Sequence, residues 1–130
     1  MYIPQGFGTM FPYISVSKAA EYIEFLKKAL DAVEIGRTSI PNGGVANARI
    51  RIGTTSFMIS EANDRLPATK SAFYLYVENA NAALAKAVSN GAAKMFEPMN
   101  MPYQDRQAGI TDPAGNIWWI SQRLVEAAYD

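Results

Sequence analysis

The fold class that the sequence predicts is α+β, with two βαβββ modules in tandem. Three observations predict it. In the first half a strand pattern, a helix pattern and three short strands follow one another, and the same order recurs in the second half. A shift of 61 residues superposes Tyr13 on Tyr74, Val16 on Val77, Ile23 on Leu84 and "SFMIS" on "IWWIS". A polar, Pro-containing connector, "NDRLPATK" at residues 63–70, separates the halves. The expected boundaries are 8–62 for the first module, 71–122 for the second and 123–130 for a tail, within one domain spanning 1–130.

The elements follow in order. "TMFPYISV", from Thr9 to Val16, reads as a strand. "SKAAEYIEFLKKAL" then switches to helical spacing, with Ala19, Tyr22, Ile23, Leu26 and Leu30 on one stripe and Ser17 where an N-cap belongs. "AVEIGRTSI", "VANARIRI" and "SFMISEA" are strands joined by a Pro-Asn-Gly-Gly turn at 41–44 and a Gly-Thr turn. In the second module "SAFYLYVE" is a strand and "NANAALAKAVSNG" is a helix closed by Gly91. "AKMFEP", "QAGIT" and "NIWWIS" supply three more strands around turns at Pro98 and at Asp112-Pro113-Ala114-Gly115. The tail "RLVEAAYD" is open between capping the sheet, joining a dimer and disorder.

Composition narrows the function classes. With 130 residues, 49% of them hydrophobic, the chain is long enough to bury a core without staples. Twelve Lys+Arg balance twelve Asp+Glu, and no basic run is present, which argues against nucleic acid and anionic membranes as partners. Cysteine and histidine are both absent, so disulfides, thiolate nucleophiles and the commonest metal and acid-base side chain are excluded. The start "MYIPQGFGTM" lacks a leader pattern and no apolar run reaches membrane-span length, so a cytoplasmic protein is expected.

Strand alternation divides side chains between a helix-covered face and an open one. On "VANARIRI", Ala48, Ile50 and Ile52 should face the helix, leaving Asn47, Arg49 and Arg51 opposite. The open set elsewhere is Phe11, Tyr13 and Ser15; Ser56, Met58 and Ser60; Ala72, Tyr74 and Tyr76; and Ile117, Trp119 and Ser121. Of the two tryptophans, Trp118 goes to the core and Trp119 faces a hollow. The two open faces are expected to form a curved mixed sheet around a shared cleft.

These segments, "PYISVSKAAEYIEFLKKAL", "ANARIRIGTTSFMIS", "LYVENANAALAKAV" and "YQDRQAGITDPAGNIWWI", together resemble the vicinal-oxygen-chelate superfamily in its glyoxalase, bleomycin-resistance and dioxygenase-like branch, from about Gly8 to Gln122. The resemblance implies paired βαβββ modules, a homodimer, and, in metal-dependent members, one ligand on the first and last strand of each module. Those four places fall on Phe11, Met58, Ala72 and Trp119, none of which is a usable ligand for a divalent ion. No metal and no cofactor are expected. The branch's other use, holding a flat or cationic drug in a metal-free cleft, asks for aromatic stacking surfaces.

The expected ligand-binding residues are therefore Phe11, Tyr13, Asn47, Arg49, Met58, Tyr74, Tyr103, Arg106 and Trp119. In "YQDRQ", residues 103–107, Asp105 and Arg106 would line a cleft entrance, the plainer alternative being a loop-pinning ion pair or exposed charges. Gly43-Gly44 is a hairpin turn, since no phosphate-loop Lys-Ser/Thr follows. A small-molecule ligand bound by a homodimer is the leading expectation. Two alternatives stand beside it: a lyase, isomerase or dioxygenase-like enzyme whose groups have moved to Arg49, Tyr74, Glu97 or Asp105, and an interaction protein whose cleft a partner fills.

Overall fold

The computed structural model describes residues 1–130, which form two compact units, Met1–Thr69 and Lys70–Asp130. The first unit runs β1 (Tyr13–Val16), α1 (Ala19–Leu30), β2 (Val33–Ser39), β3 (Val45–Ile52) and β4 (Thr55–Glu61). Its sheet has the order β1-β4-β3-β2, with β1 parallel to β4 and the other neighbours antiparallel. The second unit repeats this as β5 (Ala72–Tyr76), α2 (Ala80–Ser89), β6 (Ala93–Asn100), β7 (Asp105–Thr111) and β8 (Ile117–Arg123), ordered β5-β8-β7-β6. The class is α+β, with two four-stranded mixed sheets and one helix on each. Neither helix is long and apolar enough to cross a membrane.

Helix α1 forms because its apolar residues recur every three to four positions. Tyr22, Ile23, Phe25, Leu26, Ala29 and Leu30 are buried, and the sheet answers them with Ile14, Val16, Ala48, Ile50, Phe57 and Ile59. Each fully buried Ile or Leu contributes about 1.5–3 kcal/mol by leaving water. In the second unit Ala80, Leu84 and Ala87 of α2 bury toward Ala108, Ile110, Trp118 and Ile120.

The helix starts differ from the sequence expectation in an instructive way. Ser17 does not cap α1. Lys18 is the residue at the boundary, in a left-handed conformation (φ 56°), and the Glu61 carboxylate at the end of β4 accepts from the backbone N–H groups of Lys18 (2.8 Å) and Ala19 (3.1 Å). Parallel pairing brings Glu61 level with Val16 at the mouth of the helix, where an ionised acceptor outcompetes a hydroxyl for unsatisfied N–H groups. Gln122, 61 residues on, does the same for α2: its Oε1 accepts from Ala80 N–H at 3.0 Å, while Asn79 Oδ1 accepts from Ala82 N–H at 3.0 Å. The last strand of each unit thus fixes the start of its helix.

Two strand boundaries also move. β1 begins at Tyr13, four residues later than Thr9, because Pro12 has no N–H to donate; its carbonyl accepts from Met58 N–H at 3.1 Å and ordered pairing starts there. Pro98 does not turn the chain. It lies within edge strand β6 between Phe96 and Met99, where the register shifts and its missing N–H interrupts no ladder bond. The turn falls instead at residues 101–104, closed by Gln104 N–H to the Met101 carbonyl (3.0 Å) with Gln104 at φ 69°.

Candidate functional site

In the first unit Tyr13, which is exposed, sits beside half-buried Met58 in the β1–β4 register, and Met58 lies opposite Arg49 on β3. Asn47 Nδ2 donates to Met58 Sδ at 3.5 Å. Arg49 donates through Nη1 to Asn47 Oδ1 (3.0 Å) and Thr38 Oγ1 (3.3 Å), so its partners are neutral oxygens and its positive charge stays available on this face. The guanidinium lies over Gly36, where a Cβ would come within 2.6 Å of Nη2. Ser56 and Ser60, buried on either side of Met58, have hydroxyls without a hydrogen-bond partner. Phe11 precedes the strand, half-buried, with its ring 4.8 Å from that of Phe7.

In the second unit the adjacent tryptophans take opposite sides. Trp118 is 3% exposed, stacked on Phe73 at 4.3 Å, and its Nε1–H donates to Asp112 Oδ2 at 2.8 Å. Trp119 is half-buried on the open face, with Tyr74 beside it on β5 and Gly109 across from it on β7. Gly109 carries the ring of Phe96, at whose Cε1 a Cβ would approach to 2.4 Å.

Beyond Trp119 the face becomes polar. Asp105 is fully buried at the head of β7, opposite Arg123 of β8. Its Oδ2 accepts from the hydroxyls of Tyr74 (2.5 Å) and Tyr129 (2.6 Å), and its Oδ1 from Arg123 Nη1 (3.0 Å). Tyr129 also meets the Tyr76 hydroxyl and lies under the Arg123 guanidinium, 4.3 Å from its ring centroid. Next along the face, Gln107 donates to Ser121 Oγ (2.6 Å) and accepts from the Tyr103 hydroxyl (2.7 Å). The tail therefore caps this end of the sheet.

Burial pushes the Asp105 carboxyl up, but the Tyr129 and Tyr74 hydroxyls and the Arg123 guanidinium outweigh it and hold the group below the usual carboxylate range. Burial and Asp105 raise the Tyr74 phenol, and Asp105 followed by Tyr76 raises that of Tyr129. The signs give a pH window for tail docking. A depressed carboxylate stabilises the docked state above its free value near 4 and loses that effect as pH falls through the depressed value. Raised phenols stabilise it below about 10 and lose the effect as pH rises through their raised values. Tyr129 ring resonances in NMR are expected to be flat between about pH 4 and 10 and to move toward random-coil positions only outside that interval.

Arg106 departs from the expected ligand set. It alternates with Asp105 and points to the helix side, donating to Asn81 Oδ1 of α2 (2.8 Å) and Asn100 Oδ1 (3.0 Å). Asp105 and Arg106 are strand residues, not loop residues, and share no face. Of the other expected residues, Tyr13, Asn47, Arg49 and Met58 gather on the first unit's open face, and Tyr74, Trp119 and Tyr103 on the second's. Arg123 and Tyr129 belong to no expected set; Asp105, expected at a cleft entrance, and Tyr76, expected on the open face, join them in one network. Period two counted back from Gly109 through Gln107 finds Asp105, and cross-strand pairing adds Arg123; no period finds Tyr129.

The four places that the resemblance matches to metal ligands, Phe11, Met58, Ala72 and Trp119, present a phenyl ring, a thioether, a methyl group and an indole. Three are not donors, and a lone thioether is too soft and too weak for a hard divalent cation. No group of three or more Asp, Glu, His or Cys side chains converges elsewhere. These residues do not fit the cation.

A family model for the "Glyoxalase/Bleomycin resistance protein/Dioxygenase superfamily" matches residues 8–120. The chain belongs to this superfamily. An uncharacterized protein of Mycobacterium bovis is 28% identical over 130 residues, covering 92% of this chain and 86% of the relative. Among solved structures, a gene product of Arabidopsis thaliana is similar with a TM-score of 0.68 and 26% identity, covering 88% of this chain and 98% of that one. TnmS3, an antibiotic binding protein from Streptomyces sp. CB03234, shares the fold with a TM-score of 0.72 and 20% identity, covering 95% and 98% of the two chains. Within the superfamily, this member has two βαβββ modules in tandem.

Proposed function

We propose that this protein binds a flat, aromatic small molecule without a metal ion, using Trp119 as the principal stacking surface. The observation that carries the reading is the split of the tryptophan pair: Trp118 is consumed by the core, whereas Trp119 stands on the open face beside Tyr74. An indole in that position offers a large rigid surface whose burial by a ligand ring is favourable and costs little conformational entropy. The antibiotic-binding neighbour supports the same reading for the fold.

The acid-base alternative finds less support. Glu97 is an exposed edge residue paired with Lys94, and Asp105 is committed to Tyr74, Tyr129 and Arg123. Calorimetric titration with acridine orange, a planar aromatic cation, tests the binding reading. Trp119→Ala is expected to weaken the affinity by about 5- to 150-fold, because a ring stack is worth about 1–3 kcal/mol. Unchanged affinity in Trp119→Ala would remove the indole from the site.

A further inference from the structure

The polar end of the second unit's open face holds a buried carboxylate whose outermost partner is a replaceable phenol. Resting on the reading that a flat ring stacks on Trp119, we infer that Asp105 is the acceptor for a phenolic hydroxyl of the ligand, and that Tyr129 occupies this acceptor until the ligand displaces it.

Three features of the site support the exchange. The Asp105 carboxylate is fully buried yet receives two hydroxyls on one oxygen, Oδ2, one from sheet residue Tyr74 and one from tail residue Tyr129. Tyr74 is fixed by β5, whereas residues beyond Arg123 pair with no strand. The tail is held by Leu124 N–H on the Gln104 carbonyl (2.9 Å), by Arg123 donating to the carbonyls of Ala127 (2.9 Å) and Ala128 (3.2 Å), and by Tyr129 itself, which is about half exposed. Removing Tyr129 leaves the carboxylate with Tyr74 and Arg123 and with one strong acceptor position unfilled.

The tail has room to move: a cavity of about 500 Å³ flanks Tyr129 on the tail side, lined by Pro102, Tyr103, Gln104, Arg123, Val125 and Ala127, and can take the displaced phenol; Trp119 and Asp105 lie outside it. Trp119 and Arg123 lie on the same face of β8 four residues apart, about 13 Å along the strand, and Arg123 pairs with Asp105 across the sheet. That span is on the scale of a fused three-ring aromatic. The ligand class this selects is a planar polycyclic with a hydroxyl at one end: the rings stack on the indole and the hydroxyl donates to Asp105 as Tyr129 does.

The test compares 2-hydroxyanthraquinone with 2-methoxyanthraquinone, which keeps the rings and removes the donor, by tryptophan quenching of the full chain, Tyr129→Phe and a chain ending at Glu126. Tyr129→Phe deletes only the competing hydroxyl, so the hydroxy compound is expected to bind it about tenfold more tightly than the parent, with the methoxy compound changed less than twofold. The shortened chain should show the same widened preference, and Asp105→Asn should narrow it in either background. A hydroxy-to-methoxy ratio equal in all chains overturns the Asp105 assignment while leaving the stacking reading standing. Absence of quenching by both quinones in every chain overturns both.

Discussion

Trp118→Ala is expected to destabilise the protein by about 4 kcal/mol, the usual cost of emptying a buried aromatic site, with a drop in Tm of about 15 °C. Trp119→Ala is expected to stay within about 1 kcal/mol of the parent. The two residues are neighbours with the same side chain, so composition and propensity cannot separate them; only the pleat does. Trp118 is 3% exposed, stacked on Phe73 and hydrogen-bonded through its ring nitrogen, whereas Trp119 stands on the open face. Thermal and urea unfolding of the two variants read the difference directly. Equal losses would mean that β8 presents the pair differently.

Asp112→Ala carries the second large effect, about 3 kcal/mol. The carboxylate organises the whole Asp112–Asn116 turn: Oδ1 accepts from the N–H groups of Ala114 (2.9 Å) and Asn116 (2.9 Å), and Oδ2 from the Trp118 indole (2.8 Å). Truncating it loosens the hairpin and leaves a buried indole N–H unsatisfied, and an orphaned buried donor costs about 1–3 kcal/mol by itself. The penalty should therefore shrink when the indole is also gone. Trp118→Phe combined with Asp112→Ala is expected to cost about 1–2 kcal/mol less than the sum of the single changes, as groups in direct contact do. Strict additivity would show that the turn, and not the indole, carries the Asp112 effect. The Asp-Pro-x-Gly-Asn stretch is on this account a folding device that sets the phase of β8, and so the side on which Trp119 emerges.

How far the sequence reveals this architecture depends on the range of the interaction concerned. The α1 stripe and the division of Trp118 from Trp119 are local periodicities, 3.6 and 2, and both are legible in single segments. Asp105 is not legible in that way, because its face depends on where β7 begins. Placing the turn at Pro98 rather than at residues 101–104 leaves Asp105 and Arg106 in a loop without a phase. Once β7 includes them, alternation sends Asp105 inward to the tyrosines and Arg106 to Asn81.

The cap of α1 and the docked tail are tertiary. Nothing near Ser17 in the sequence announces that Glu61 will arrive from a parallel strand, and a single tyrosine in "RLVEAAYD" has no period to read. Arg49 and Tyr74 fall on open faces by pleat, whereas Arg106, equally basic, is spent on two asparagines on the helix side.

On the proposed reading, an aromatic surface at Trp119 takes the place of a chelating one. Quenching of tryptophan emission by 2-methoxyanthraquinone, measured on protein dialysed against EDTA and again with added Mn²⁺, tests it most directly. Saturable quenching with the same midpoint in both buffers, and a loss of affinity of about fivefold or more in Trp119→Ala, is the result expected. Binding that appears only with the divalent ion, or that keeps its affinity when Trp119 is alanine, would contradict the account.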